Sequence, residues 1–324
     1  MAAARGGHAP DPVQHGFPHL ETVRAAITAM YRRLSWETVR GYAVPVAPAD
    51  VAFTDGEDLH LGAQRVARAL VRHFRLPDAR MVVAFHDMED AADVELAAGP
   101  EYFVELNTRF AAHRRDVGAA LAHEVAHVYL HRAGLAFAGV RDNEILTDTV
   151  TTYLGAGWLL LDAFRQDALT SQKLGYLTPE EFGYVLAKRA GRFGEDPSVW
   201  FTSPQAYDAY VRGRAQARED ERRPPLAGSG PAARLRYTRD RRLARSRLAA
   251  AAPGAPLGGG PPAGGAPGAG GNGRSGHGGY AFHAGSPLRV SFPCPVCGQR
   301  IRVPVRGRVR VRCALCTAVL DCDT

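Results

Sequence analysis

The stretch HEVAHVYLHRAG, His123 to Gly134, sets two histidines four residues apart, with a glutamate directly after the first. At 3.6 residues per turn, His123 and His127 fall on one face of a helix. Two imidazoles at that spacing can hold one divalent metal ion. Glu124 projects beside them, where a carboxylate can take a proton from water that the metal polarises. Leu121, Ala122, Val125, Ala126, Val128 and Leu130 are apolar, so the rest of the helix is suited to burial. The competing reading is a polar patch on a partly buried helix.

A catalytic zinc needs a third protein ligand and an open position. Downstream, RDNEILTDTVTTYLGAG offers Glu144, 17 residues after His127. That gap lets the first helix end at Gly134 and a second helix return. Asp148 lies one turn beyond Glu144 on the same face. It could hydrogen-bond the ring nitrogen of a ligand histidine that faces away from the metal, or replace Glu144 as the ligand. Gly155 and Gly157 fit close helix packing or a helix end.

These two segments resemble the gluzincin metallopeptidases, the thermolysin-like class. Their pattern is His-Glu-x-x-His followed by Asn-Glu-x-x-Ser/Thr-Asp, and this chain has His123, Glu124 and His127, then Asn143, Glu144, Thr147 and Asp148. The resemblance implies a zincin-like fold and zinc held by His123, His127 and Glu144. It also implies Glu124 as general base, Asp148 behind a ligand, and hydrolysis of a peptide or protein substrate. The strand YFVELN resembles the edge strand that aligns substrate in small gluzincins. HEVAHVYLH is similar to the compact peptidases of the ImmA/IrrE type. Two departures stand out. The gap to Glu144 is shorter than in thermolysin, and the family's transition-state-stabilising histidine and tyrosine have no assigned counterpart. His131, Tyr153, Tyr176 and Tyr184 are the candidates for an oxyanion donor or a rim position, with an ordinary core or rim role the simpler reading for each.

A second constellation is CPVCGQRIRVPVRGRVRVRCALC, which carries Cys294, Cys297, Cys313 and Cys316 as two C-x2-C pairs separated by fifteen residues. Two thiolate knuckles at this spacing make a closed tetrahedral zinc site, and the unit resembles bacterial zinc ribbons. So small a unit needs its metal to fold. Cys322 is left over as a spare or buried thiol. Between the pairs, arginine alternates with valine or isoleucine, which reads as a hairpin turning near Gly307. Arg302, Arg306, Arg308, Arg310 and Arg312 make that hairpin strongly positive. Phosphate contact would suit it, but no aromatic residue interleaves for base stacking. Nucleic acid is therefore the weaker expectation, behind a solvated face or a contact with protein.

The remaining chain must position these groups. Residues 1–220 carry 23 Arg/Lys against 29 Asp/Glu, and residues 221–324 carry 17 against 4. The overall +7 thus joins an acidic body to a basic tail, and a contact between the two is an expectation. Residues 1–18 read as a flexible arm. LETVRAAITAMYRRLSWETVR and LGAQRVARALVRHF have helical spacing, whereas ARMVVAF, DVELA and EYFVELNTRF read as strands of a small antiparallel sheet. Helices near 116–132 and 143–162 carry the motifs. Thr178, Pro179 and Glu181 form the capping box that opens another. Residues 221–288, rich in Pro, Gly and Ala, read as a disordered linker. Its basic island, RLRYTRDRRLARSRLAA, reads as a short solvated helix or a polyanion- or partner-binding patch.

The expected fold is α+β: a mainly helical zincin-like domain over 19–220, the linker, and a zinc ribbon over 289–324. Two zinc ions are expected, one catalytic and one structural. No run of about 18 apolar residues suggests a membrane span, nor does the N-terminus look like a secretory signal. With all five cysteines in the last 31 residues, a cytoplasmic protein is expected. The alternatives to a metallopeptidase are a non-catalytic metal- or protein-binding domain on a peptidase-like scaffold, or a regulator whose ribbon binds a partner or nucleic acid.

Overall fold

The computed structural model describes residues 13–166, 171–250 and 279–324. The backbone divides into two compact units, Met1–Ala217 and Arg218–Thr324.

The first unit is mainly helical. Its helices are α1 (Leu20–Arg40), α2 (Pro48–Val51), α3 (Leu59–His73), α4 (Arg114–Ala133), α5 (Val140–Thr151), α6 (Gly157–Asp162), α7 (Pro179–Phe193) and most of α8 (Pro204–Glu221). Its strands are β1 (Arg80–His86), β2 (Ala92–Val94) and β3 (Glu101–Asn107), with a short pair β4 (Arg165–Gln166) and β5 (Ser171–Gln172). Helix α4 is central and packs on α3, α5, α6 and the sheet. Val117, Leu121, Val125 and Val128 are fully buried, each worth roughly 1.5–3 kcal/mol of burial. The helix stops at Gly134, whose left-handed φ of 60° lets its N–H reach the carbonyls of Leu130 and His131.

The sheet runs in the order β1-β3-β2. The expected antiparallel pairing holds for β2 against β3, but β1 lies parallel to β3. The chain places β2 at the far edge, and β3 returns between the other two. Alternating burial at Met81, Val83, Tyr102 and Val104 fixes which side faces the core and carries no information about direction. YFVELN is accordingly the central strand, and β2 is the edge.

The helix expected over 143–162 is interrupted. A π-turn over Thr152–Ala156 separates α5 from α6, with Gly155 at φ 109°. A Cβ there would sit 2.9 Å from Pro45 Cα and 3.2 Å from the Arg189 guanidinium. The capping box at α7 is present: the Thr178 hydroxyl accepts from the Glu181 N–H at 3.1 Å, and the Glu181 carboxylate accepts from the Thr178 N–H at 3.0 Å. Of the expected N-terminal arm, 1–12 lie outside the described residues. His15 and Gly16 both bond the buried Glu180.

The second unit comprises α9 (Pro231–Ala250) and strands β6 (Ala281–His283), β7 (Arg289–Pro293), β8 (Arg300–Pro304), β9 (Arg308–Arg312) and β10 (Val319–Asp323). Within the stretch expected as linker, the basic island forms α9, Leu226 bridges to Cys322 on β10, and 251–278 lie outside the described residues. Tyr237 of α9 is buried against Tyr280 and Phe282, with ring centroids 5.0 and 5.4 Å away. The hairpin expected about Gly307 does not form. β8 pairs with β7, and β9 pairs with β10. Each C-x2-C pair is the turn of its own hairpin, so β8 and β9 belong to different sheets. Alternating Arg and Val marks a strand with one wet face but does not name its partner.

No helix among the described residues is long and apolar enough to cross a membrane.

Candidate catalytic metal centre

His123 and His127 project from α4 and Glu144 from the facing α5, joined by the turn after Gly134. His123 Nε2 lies 3.0 Å from His127 Nε2 and 3.1 Å from Glu144 Oε2, and His127 Nε2 lies 3.2 Å from the same oxygen. Three ligands about 2.05 Å from a tetrahedral ion would stand about 3.3 Å apart, so the triangle fits zinc. Its chemistry fits as well. His123 Nδ1 is 2.8 Å from Asp148 Oδ1, and His127 Nδ1 is 3.4 Å from the Thr147 hydroxyl, which itself donates to the Asn143 carbonyl at 3.0 Å. With Nδ1 protonated on each ring, both Nε2 atoms present lone pairs to a carboxylate oxygen. With both rings neutral, three acceptors converge on one point, where either a proton on Nε2 or a metal cation must sit among them.

The electrostatics follow from this crowding. Burial resists charging of His123, but the Asp148 and Glu144 carboxylates outweigh it and carry its pKa well above the usual imidazole range. Burial also resists ionisation of Glu144, yet the two histidines hold its pKa at about 2. Burial pushes the Glu124 carboxyl upward, opposed by the charges of His123 and His127.

The centre opens into a cleft of about 480 Å³. One wall is β2, the other the segment around Leu174, Gly175 and Tyr176, and the floor is α4 with Glu124 beside the ligands. Ala91 O and Glu95 N bond β3, so by antiparallel alternation the peptide groups of Ala92 and Val94 point away from it. The edge facing the cleft is thus free to pair with an extended chain. Sequence reasoning assigned this role to YFVELN. The three-residue strand ADV gives too short a pattern to be recognised as an edge.

Asp148 lies behind His123, fully buried. Its second oxygen accepts from the backbone N–H groups of Tyr176 at 2.5 Å and Leu177 at 3.0 Å. Of the candidate oxyanion or rim residues, only Tyr176 lines the cleft. Tyr153 is buried with its hydroxyl 2.9 Å from that of Tyr31. Tyr184 is buried on α7, and His131 is exposed in the last turn of α4. Sequence reasoning missed Asp90, Asp93 and Gly175 in the cleft lining. Only the glycine ahead of the α7 capping box gave a readable hint.

The second centre is in the ribbon. Cys294, Cys297, Cys313 and Cys316 are buried and bring their sulfurs together. The Sγ atoms of Cys294 and Cys316 are 3.7 Å apart, and those of Cys297 and Cys313 are 3.6 Å apart. A tetrahedral zinc with Zn–S of about 2.3 Å requires about 3.8 Å, whereas a disulfide requires about 2.05 Å. The two knuckles repeat one geometry. Cys294 N bonds Gln299 O and Cys313 N bonds Ala318 O, while Gly298 N and Thr317 N close back onto the first cysteine of each pair. Cys322 is buried outside the cluster, its thiol pushed up to about 11 by burial and then by Asp321 and Asp323.

No protein-family model, curated protein or solved structure matches the chain.

Proposed function

We propose that the protein is a zinc-dependent metallopeptidase of gluzincin type, akin to the compact ImmA/IrrE-like enzymes. The observation that carries this reading is the convergence of His123, His127 and Glu144 on one point, with Glu124 beside them at the floor of an open cleft. Zinc in this position would polarise water and the scissile carbonyl. Glu124 then accepts the proton of the attacking water and delivers it to the leaving amine. Asp148 holds His123 in the tautomer that turns Nε2 to the centre. Tyr176 stands at the cleft wall, where its hydroxyl can donate to the developing oxyanion. Ala92 and Val94 offer backbone groups that align an extended peptide across the centre. A zinc site of four cysteines needs reduced thiols, and on that ground we place the protein in the cytoplasm.

The test is cleavage of an unfolded protein by the zinc-loaded chain, with new termini read by mass spectrometry. Wild type should cut, and Glu124→Gln should bind zinc and leave the substrate intact. Equal cleavage by both would end the reading. No cleavage of any unfolded protein or peptide library by zinc-loaded wild type would favour a binding domain on the same scaffold.

A further inference from the structure

The arginines of the second unit divide into two groups that the sequence does not separate. On β9, Arg308 and Arg310 are matched across the strand pair by Asp323 and Asp321, at 3.4 and 3.0 Å. Arg234 of α9 reaches Asp323 as well, at 3.4 Å. The other sheet has no such compensation. In its register His283 lies opposite Arg289, Ser291 opposite Arg302 and Pro293 opposite Arg300. Cross-strand partners share a face, so Arg289, Arg300, Arg302 and His283 stand together on one side of β6-β7-β8. The other side, with Val290, Phe292, Ile301 and Val303, is buried, and Phe282 there meets Tyr237 of α9.

All three arginines on the outer face are exposed, and no carboxylate among the described residues lies within ion-pair distance of them. Residues 241–320 contain twelve arginines and no Asp or Glu. His283 donates to or accepts from Ser291 Oγ at 2.7 Å, and Arg300 reaches the same oxygen at 3.4 Å. Burial and then the charges of Arg302 and Arg300 lower the His283 pKa.

We infer that this face, carrying Arg289, Arg300 and Arg302, binds the phosphodiester backbone of nucleic acid. Guanidinium groups present paired N–H donors that match two phosphate oxygens. Arg300 and Arg302 lie two residues apart on one strand, about 6.6 Å along it, which suits successive charges of a polymer better than a single carboxylate. No Phe, Tyr or Trp among the described residues stands on the face as a stacking platform, so recognition is chiefly of the backbone. The partner is distinct from the peptide substrate of the first unit, and the inference does not depend on the peptidase reading.

The test is binding of the zinc-loaded full chain to a labelled mixed-sequence oligonucleotide, single-stranded and duplex, across a salt series. Three phosphate contacts give a log–log salt slope of about −2 on a single strand and about −2.7 on a duplex, or about 15- to 40-fold weaker binding at 200 mM than at 50 mM salt. Substituting Arg289, Arg300 and Arg302 together by Gln should remove that slope, and each single Arg→Gln change about one contact of it. Substituting Arg234, Arg308 and Arg310 by Gln removes the same charge from aspartate-paired sites and should leave the slope in place. Zinc content of each variant reports folding of the ribbon, and the single changes stand if a triple variant loses its metal. The inference is overturned if wild type does not bind, or if both triple variants lose affinity equally. It also fails if polyglutamate displaces the oligonucleotide at equal charge concentration, which would point to an acidic protein surface.

Discussion

His123 donates its Nδ1 proton to Asp148 across 2.8 Å, and the other oxygen of the same carboxylate accepts the backbone N–H groups of Tyr176 and Leu177. One buried side chain therefore sets the direction of a metal ligand and the position of a cleft wall. Asp148→Asn would present an amide N–H₂ either to His123 or to those backbone donors. We expect zinc affinity to fall about 10- to 100-fold, read by competition with a chromophoric chelator. Unchanged affinity would remove Asp148 from the metal centre.

Zinc counting separates the two centres. Wild type should hold two ions per chain by mass spectrometry. His123→Ala and Glu144→Ala should each weaken one, and Cys294→Ser together with Cys313→Ser should remove the other and unfold the ribbon. Glu124→Gln should retain both. A chain that still binds two ions tightly after loss of Glu144 would point to a different third ligand.

Tyr176 is the cleft tyrosine. If its hydroxyl donates to the oxyanion, Tyr176→Phe should lower kcat by about 10²- to 10³-fold with KM little changed. A change confined to KM would make it a substrate contact only.

Gly175 has φ 81°, and a Cβ there would fall 2.5 Å from Asp148 Oδ1. Gly175→Ala meets both backbone strain and a carboxylate already held by three donors. The expected cost is about 1–3 kcal/mol, visible as a lower Tm and weaker zinc binding. A Tm equal to wild type would show that the segment 174–177 can move away freely.

Protons compete with zinc at His123. Burial lowers its pKa, but Asp148 and Glu144 outweigh burial and raise it above the ordinary imidazole value, so a proton on Nε2 must leave before that nitrogen can bind metal. Zinc affinity should therefore climb with pH through a range above the ordinary imidazole value of about 6.5. A titration that levels off below pH 6 would contradict the network.

The residues that can ligate metal were legible as types and spacings because local geometry sets them. A four-residue step puts His123 and His127 on one helix face, and C-x2-C closes one knuckle whatever surrounds it. The capping box at Thr178 and Glu181 is local in the same sense, and it formed as expected. Contacts between distant segments were not legible. Nothing in DVELA states that β2 lies at the sheet edge, since alternation encodes a face and leaves order and direction open. The arginines from Arg300 to Arg312 looked like one hairpin because both strands share a pattern, and only pairing with β7 and β10 assigned them to two sheets. The basic island carried helical composition, but burial of Tyr237 against Tyr280 and Phe282 made it part of the ribbon unit. Tyr153, Tyr176 and Tyr184 are equivalent as letters. Packing buried two of them and left Tyr176 at the cleft, because its backbone is held by Asp148. Sequence determined which groups could bind metal and move a proton. Tertiary structure decided which of them meet, since that depends on long-range packing to which spacing along the chain is blind.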